Sequence, residues 1–396
     1  MAWRPYSLGD VCDVIAGQSP DGAHYNDRGE GLPFYQGKKE FGERDIEPPR
    51  VWTTLTTKEA DAGDILMSVR APVGPINYAI EKCCIGRGLA ALRAKPGVDQ
   101  EFLFYLLLSK QPEIAGSEGA VFPSISKKQI ESIRVSIPSL SEQKRIVAIL
   151  DEAFEGIRIA TANAEKNLAN ARELFRLYLR AAFEGRVNST WVKVRLRDVG
   201  TVLSGSGFPT RFQGHKDHEL PFYKVSDMNL PGNDREMIAH NNSVTREIQR
   251  ELGASIFPRG SVIFPKIGGA IATNKKRVAS RDCCVDNNVM GVSPITNKID
   301  SEFLYYFFLA HDLAEFANDA HLPSIRKTVV EDWPLAMPET LDEQRLVVTR
   351  LRAMSEETER LASSYRERLE ALHTLKQSIL SRAFSGQLTA TKGLAA

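Results

Sequence analysis

The chain has 396 residues with 51 Lys and Arg against 50 Asp and Glu, a net charge of +1; it is too long for one ordinary core, and its charge total gives no support to wholesale nucleic-acid attraction. Its 42% hydrophobic and 26% charged content is that of a soluble globular protein. With no apolar run near ~18 residues and no basic-then-apolar start, neither a membrane span nor a secretory signal is indicated, so the cytoplasm is the expected compartment.

In chain order, SLGDVCDVIAG at Ser7 to Gly17 returns as RLRDVGTVLSG at Arg195 to Gly205, and LPFY at Leu32 returns at Leu220. Gly63-Asp64-Ile65-Leu66 is answered by Gly260-Ser261-Val262-Ile263, Cys83-Cys84 by Cys283-Cys284, and VDQEFLFY at Val98 by IDSEFLYY at Ile299. PSIS at Pro123 and PSIR at Pro323 each precede a short helix-like stretch and a strand, IRVSIP and WPLAMP. The repeated unit is a mixed domain of roughly 140 residues with β segments such as Asp64 to Val69 and Cys83 to Leu92, and the slips of register between copies are loop insertions.

Each unit ends in a long helix. From Leu150, steps of four and three meet Phe154, Ile157, Thr161, Ala164, Leu168, Ala171, Phe175, Tyr178 and Ala182, a heptad seam. A second, less regular seam runs through Leu351, Met354, Leu361, Tyr365, Leu369, Leu372 and Ile379, where Ser355, Thr358 and Lys376 take places equivalent to apolar ones. Ser139 with Glu142 and Thr340 with Glu343 match a capping box, and Gly185 and Gly386 stand where left-handed C-terminal caps belong. Such a helix, about 66 Å long at ~1.5 Å per residue, needs a partner to stay ordered. Its copy supplies one, and an internal two-fold repeat favours antiparallel pairing with a globular domain at either end.

Catalytic constellations are scarce. The sequence holds no HExxH, P-loop or GxSxG, and no His, Cys and carboxylate cluster at ligand spacing. Ser204-Gly205-Ser206-Gly207 lacks the third glycine of a cofactor loop, His215 and His218 stand in a polar loop, and the adjacent cysteines fit small buried hydrophobes. No cofactor or metal is expected. Basic and amide residues do gather in the globular units: Gln36, Lys38 and Lys39 after the first LPFY, Lys224 and Ser226 after the second, Arg70 in SVRAPVG and Lys266 in FPKIGGA. Lys127-Lys128, Lys275-Lys276 and Arg326-Lys327 add to them. Singly each pair reads as a solvated face, whereas the matching loops of Arg70 and Lys266 point to a DNA groove.

The duplicated entrance, Leu140-Ser141-Glu142-Gln143 and Leu341-Asp342-Glu343-Gln344, and the AFxG exits at Ala182 and Ala383 make the chain resemble the DNA specificity subunit of type I restriction-modification enzymes over nearly its full length. That resemblance implies an α+β architecture: a first target recognition domain at 1–140, a conserved helix at 141–187, a second domain at 188–340, a second helix at 341–388 and a tail at 389–396. It implies two domains reading the halves of a split, asymmetric sequence in double-stranded DNA, held apart by antiparallel coiled-coil helices. The subunit itself would be non-catalytic and would dock two methyltransferase subunits and the restriction and motor subunits. In keeping with that, no [DN]PP[YFW] motif is present, since Glu47-Pro48-Pro49-Arg50 is not a match. Two other readings stand beside it: an enzyme, either methyltransferase or nuclease, with unrecognised motifs, and a coiled-coil scaffold that never touches DNA.

Overall fold

The structure, a computed structural model, describes residues 3–115, 124–183, 191–318 and 320–388. The chain folds as two compact units, one built from Met1–Ala164 and Glu367–Ala396, the other from Glu165–Arg366. The two long helices, Leu140–Phe183 and Leu341–Phe384, have 44 residues each, so each unit contains the start of one and the end of the other. Pro123, the Gly185 cap and the 389–396 tail lie outside the described residues.

In the first unit the Ser7–Gly17 motif forms a short helix, Leu8–Val11, and a strand, Cys12–Ala16. This strand edges a four-stranded sheet with Leu89–Ala94, Ile65–Ser68 and Ile76–Tyr78. The LPFY strand, Leu32–Tyr35, lies in a second, five-stranded sheet and pairs in parallel with Cys83–Ile85. The expected single β segment from Cys83 to Leu92 is thus broken at Gly86-Arg87-Gly88, where the chain passes between sheets. Gln100–Ala115 buries Phe102 to Leu107 against the first sheet, and Arg4–Ser7 pairs with Arg134–Ile137.

The second unit repeats the plan: helix Leu196–Val199, strand Gly200–Ser204, the sheet through Val289–Pro294 and Val262–Pro265, the parallel pair Leu220–Tyr223 with Cys284–Val285, and helix Ser301–Ala310. Gly17 and Gly205 recur because a Cβ would lie 2.2 Å from Gly86 O and 1.8 Å from Asp286 O; only glycine permits that approach. All five cysteines are buried and unpaired, and burial pushes the Cys12, Cys83 and Cys284 thiols up to about 12.

The entrance glutamines explain the duplicated Glu-Gln. Gln143 is fully buried; its Oε1 accepts from the Asp99 amide (2.8 Å) and its Nε2 donates to Gly97 O (3.1 Å) and Pro138 O (3.0 Å). Gln344 repeats this with the Asp300 amide (2.8 Å), Lys298 O (3.1 Å) and Pro338 O (3.1 Å). The exit motif packs on the same spot from the other helix. In the first unit Phe384 lies 5.4 Å from Phe102 and 6.4 Å from Trp3; in the second Phe183 lies 5.2 Å from Phe303 and 6.3 Å from Trp191.

Pairing of the long helices is antiparallel. In the first unit Leu380 and Ala383 share a core with Ile146 and Leu150, while Lys376 Nζ sits 5.3 Å from the Phe154 ring centroid; rising numbers on one helix meet falling numbers on the other. In the second unit Leu179 and Phe183 share a core with Val348 and Leu351. Phe154, Ile157, Leu168 and Phe175 on one helix, and Leu369, Leu372 and Ile379 on the other, are half-buried. Two seam positions are corrected: Tyr178 is exposed and Leu179 buried, and Leu361 is 39% exposed where Ala362 is 2% exposed. Thr358, an apparent defect, is buried with its hydroxyl donating to Met354 O at 2.9 Å. At the helix starts, the Glu343 amide donates to Thr340 Oγ1 (3.3 Å), whereas the Ser139 hydroxyl pairs with Ser141 (3.1 Å) instead of completing a capping box. Gly386 has φ +76°, the expected left-handed cap.

Candidate nucleic-acid interface

The first unit gathers several strand ends at one place. Beyond the parallel pair, the Gly86 amide donates to Tyr35 O (2.8 Å) and the Gly88 amide to Gln36 O (3.1 Å), while the Val69 amide donates to Gly88 O (2.9 Å) and the Gln18 amide to Ile85 O (2.9 Å). Backbone therefore stitches the segments carrying Gln36, Arg70, Arg87 and Ser19 side by side. A Cβ on Gly88 would lie 2.3 Å from Gln36 O, so glycine is what lets the turn close. With Lys38 and Ser68 these residues line an open cavity of about 440 Å³, and the Gln36, Lys38, Arg70 and Arg87 side chains are exposed.

The second unit holds the same frame. Its Asp286 amide donates to Tyr223 O (2.9 Å), the Ser206 amide to Val285 O (3.0 Å) and the Lys266 amide to Asn288 O (2.9 Å). These bonds match Lys224 to Gln36, Gly207 to Ser19, Asn287 to Arg87 and Lys266 to Val69. The expected equivalence of Arg70 and Lys266 is thereby corrected by one residue. Arg70 bridges to Ser124 and Ile267 bridges to Ser324, so Ile267 stands where the first unit has Arg70. On this frame Lys224 is half-buried, its Nζ donating to Gln213 Oε1 (2.5 Å) and lying 5.7 Å from the Phe208 ring, which stacks on Phe222 at 3.8 Å. Burial raises the Asp286 carboxyl above the usual range, against the opposing pull of Asn288 and Lys224.

Not every basic candidate joins these faces. Lys276 is corrected outright: it is 2% exposed, its Nζ donating to His311 O (2.7 Å) and Asn274 Oδ1 (2.5 Å), and burial pulls its pKa down to about 8. A buried ammonium committed to two acceptors cannot reach a phosphate. Lys275 bonds Asn229 Oδ1 beside it. Lys127 and Lys327 begin short helices and pair with Glu131 (3.5 Å) and Glu331 (3.6 Å) on the following turn. Lys39, Lys128, Ser226 and Arg326 are exposed, and neither Lys39 nor Lys128 lines the cavity. Arg87 and Ser19 were missed; the cue was an arginine between two glycines, Gly86-Arg87-Gly88, in what looked like continuous strand.

Among the described residues no group of His, Cys, Asp or Glu is placed to hold a metal ion, and no helix is long and apolar enough to cross a membrane. The profile described as "Type I restriction modification DNA specificity domain" matches residues 2–169 and again 188–371. Over 182 residues the chain is 43% identical to the putative type I restriction enzyme MjaX specificity subunit of Methanocaldococcus jannaschii, a match covering 45% of this chain and 42% of that protein, so under half of that relative's length is spanned. It is 24% identical to the type I restriction enzyme EcoDI specificity subunit of Escherichia coli, with 98% of this chain and 89% of that one covered. A chain from a study of complex assembly and conformational transition in the type I R-M system superposes with a TM-score of 0.78 at 20% identity, 98% of each chain covered. For the HsdS subunit of Thermoanaerobacter tengcongensis the TM-score is 0.60 at 19% identity, with 98% and 97% covered. At these identities the two superpositions speak for the fold.

Proposed function

The chain belongs to the type I restriction-modification DNA specificity family, and from that premise we propose that it is the sequence-reading subunit of such a complex, each unit taking one half of a split, asymmetric DNA target. The observation that carries this is the pair of equivalent faces. One backbone frame, held by the same hydrogen bonds, displays Gln36, Arg70 and Arg87 in one unit and Lys224, Ile267 and Asn287 in the other. A duplicated scaffold carrying different side chains reads two different half-sites, since base edges are distinguished by side-chain chemistry and phosphate contacts only set position.

The chain takes no chemical step in this reading. Methyltransferase subunits, and restriction subunits where the host has them, dock on it, and the relatives named as specificity subunits support that division of labour. Exposed Ile159, Leu174 and Leu177 on the first long helix and Leu346 and Leu375 on the second give the apolar surface such docking uses. The test is methylome sequencing of a strain expressing the whole complex. A split motif is expected, and exchanging residues 1–140 for another such domain changes one half of it; a change in both halves, or in neither, overturns the reading.

A further inference from the structure

We propose that Arg70 and Arg87 read guanine in the half-site taken by the first unit, an assignment that rests on the DNA-reading function above and names the bases it recognises. Three features of the site lead there. The two side chains spring from backbones tied to each other, the Val69 amide donating to Gly88 O at 2.9 Å, and both line the same cavity of about 440 Å³ together with Gln36 and Lys38. They are presented by a fixed frame and not by loose loop tips, as readout in a groove requires.

Both guanidiniums are also unspent. In the same unit Arg44 is committed to Glu101, Arg93 to Asp64 (2.7 Å), Arg158 to Glu155 (2.7 Å) and Arg145 lies 4.0 Å from Glu142. Among the described residues neither Arg70 nor Arg87 is in an ion pair, and both are exposed. An arginine fork left open donates two parallel hydrogen bonds, and the O6 and N7 acceptors of guanine in the major groove match that spacing. Lys38, a point charge, suits a phosphate.

The second unit supplies the control. At the matching positions it has Ile267 and Asn287, so both guanidiniums are gone from an otherwise equivalent frame. Guanine dependence through this device therefore belongs to the first half-site alone.

The experiment uses the purified complex of this chain with its methyltransferase subunits and duplexes carrying the target found by methylome sequencing, the 1–140 exchange having shown which half belongs to the first unit. Each guanine in that half is replaced in turn by 7-deazaguanine, which lacks the N7 acceptor. Affinity should fall about 5-fold or more at two guanines. In Arg87→Ala one of these replacements should cease to matter, and in Arg70→Ala the other. Arg87→Lys, which keeps the charge and loses the fork, should lower affinity for the target about 10-fold and leave affinity for unrelated DNA unchanged. The assignment is overturned if that half-site contains no guanine on either strand, if 7-deazaguanine has no effect, or if the alanine variants weaken target and unrelated DNA alike with a salt slope lower by about one, the mark of a phosphate contact. A wild-type complex that bound all duplexes equally would instead overturn the DNA-specificity reading itself.

Discussion

The helix entrance and the candidate DNA face are both duplicated, yet they have been treated differently. At the entrance, Gln143 and Gln344 make the same three hydrogen bonds to the same three backbone positions, with distances agreeing to about 0.1 Å. At the face, the frame is kept and the side chains are exchanged, arginine for isoleucine and arginine for asparagine. Buried polar groups must find partners or cost free energy, so a satisfied buried amide tolerates no substitute. Exposed side chains on a closed frame carry little stability and are free to vary with the target.

Breaking the joint should therefore cost far more than editing the face. Gln143→Ala strands the Asp99 amide and the Gly97 and Pro138 carbonyls, and we expect it to destabilise the chain by about 3 kcal/mol, the sum of partly rehydrated groups at ~1–3 kcal/mol each. Gln344→Ala should do the same. Arg87→Asn, which gives the first unit the second unit's residue, should stay within about 0.5 kcal/mol. Urea unfolding of the three variants measures this; an Arg87→Asn loss as large as that of Gln143→Ala would make the face structural.

A smaller effect separates Lys276 from its half-buried neighbours. Burial lowers its pKa from 10.5 to about 8, outweighing the attraction of Asp312 and Glu315. Between those two values the unfolded chain binds more protons at this site than the folded one, so stability rises with pH there; the burial penalty is fully present below about 8 and relieved as pH climbs toward 10.5. The slope from this one group approaches ~1.4 kcal/mol per pH unit. Lys276→Met should lose that slope, so the stability difference between wild type and variant should itself change with pH when unfolding is followed from pH 7.5 to 9.5. A Lys275→Met control should leave the slope in place, since Lys275 is not buried in this way.

Much of this was legible because the sequence says it twice. Repeated landmarks marked the sheets, the short helices and both long helices, and the paired cysteines sat in buried strand as their neighbours required. What escaped had local causes. Register between Arg70 and Lys266 depends on which residue follows the strand by how many positions, and the hydrogen bonds to Gly88 and Asn288 with the bridges to Ser124 and Ser324 decide it. Lys276 looks like any basic pair until the 3-10 turn Gly268–Thr273 and the segment Leu313–Phe316 are placed around it. Arg87 was hidden by the apolar run around it, whose interruption needs the sheet topology to be seen.

The seam errors have a geometric cause that can be tested with the smallest change of all. A heptad is about 20° short of two full turns of an undistorted α-helix, so four heptads from Leu150 leave Tyr178 about 80° off the buried face and bring Leu179 onto it. On the second helix the same arithmetic from Leu351 puts Leu361 about 80° away and Ala362 within about 20°, as their exposures of 39% and 2% record. At these two places burial thus follows the 3.6-residue period, while Phe154, Ile157, Ala164, Leu168, Ala171 and Phe175 keep the four-three spacing of a supercoiled seam. Leu361→Ser should accordingly change stability by less than about 0.5 kcal/mol. Ala362→Leu, which adds three carbons to a filled interface, should cost about 1 kcal/mol or more through overpacking. Thermal unfolding of the two variants decides between the periods: a costly Leu361→Ser beside a tolerated Ala362→Leu would restore the heptad seam.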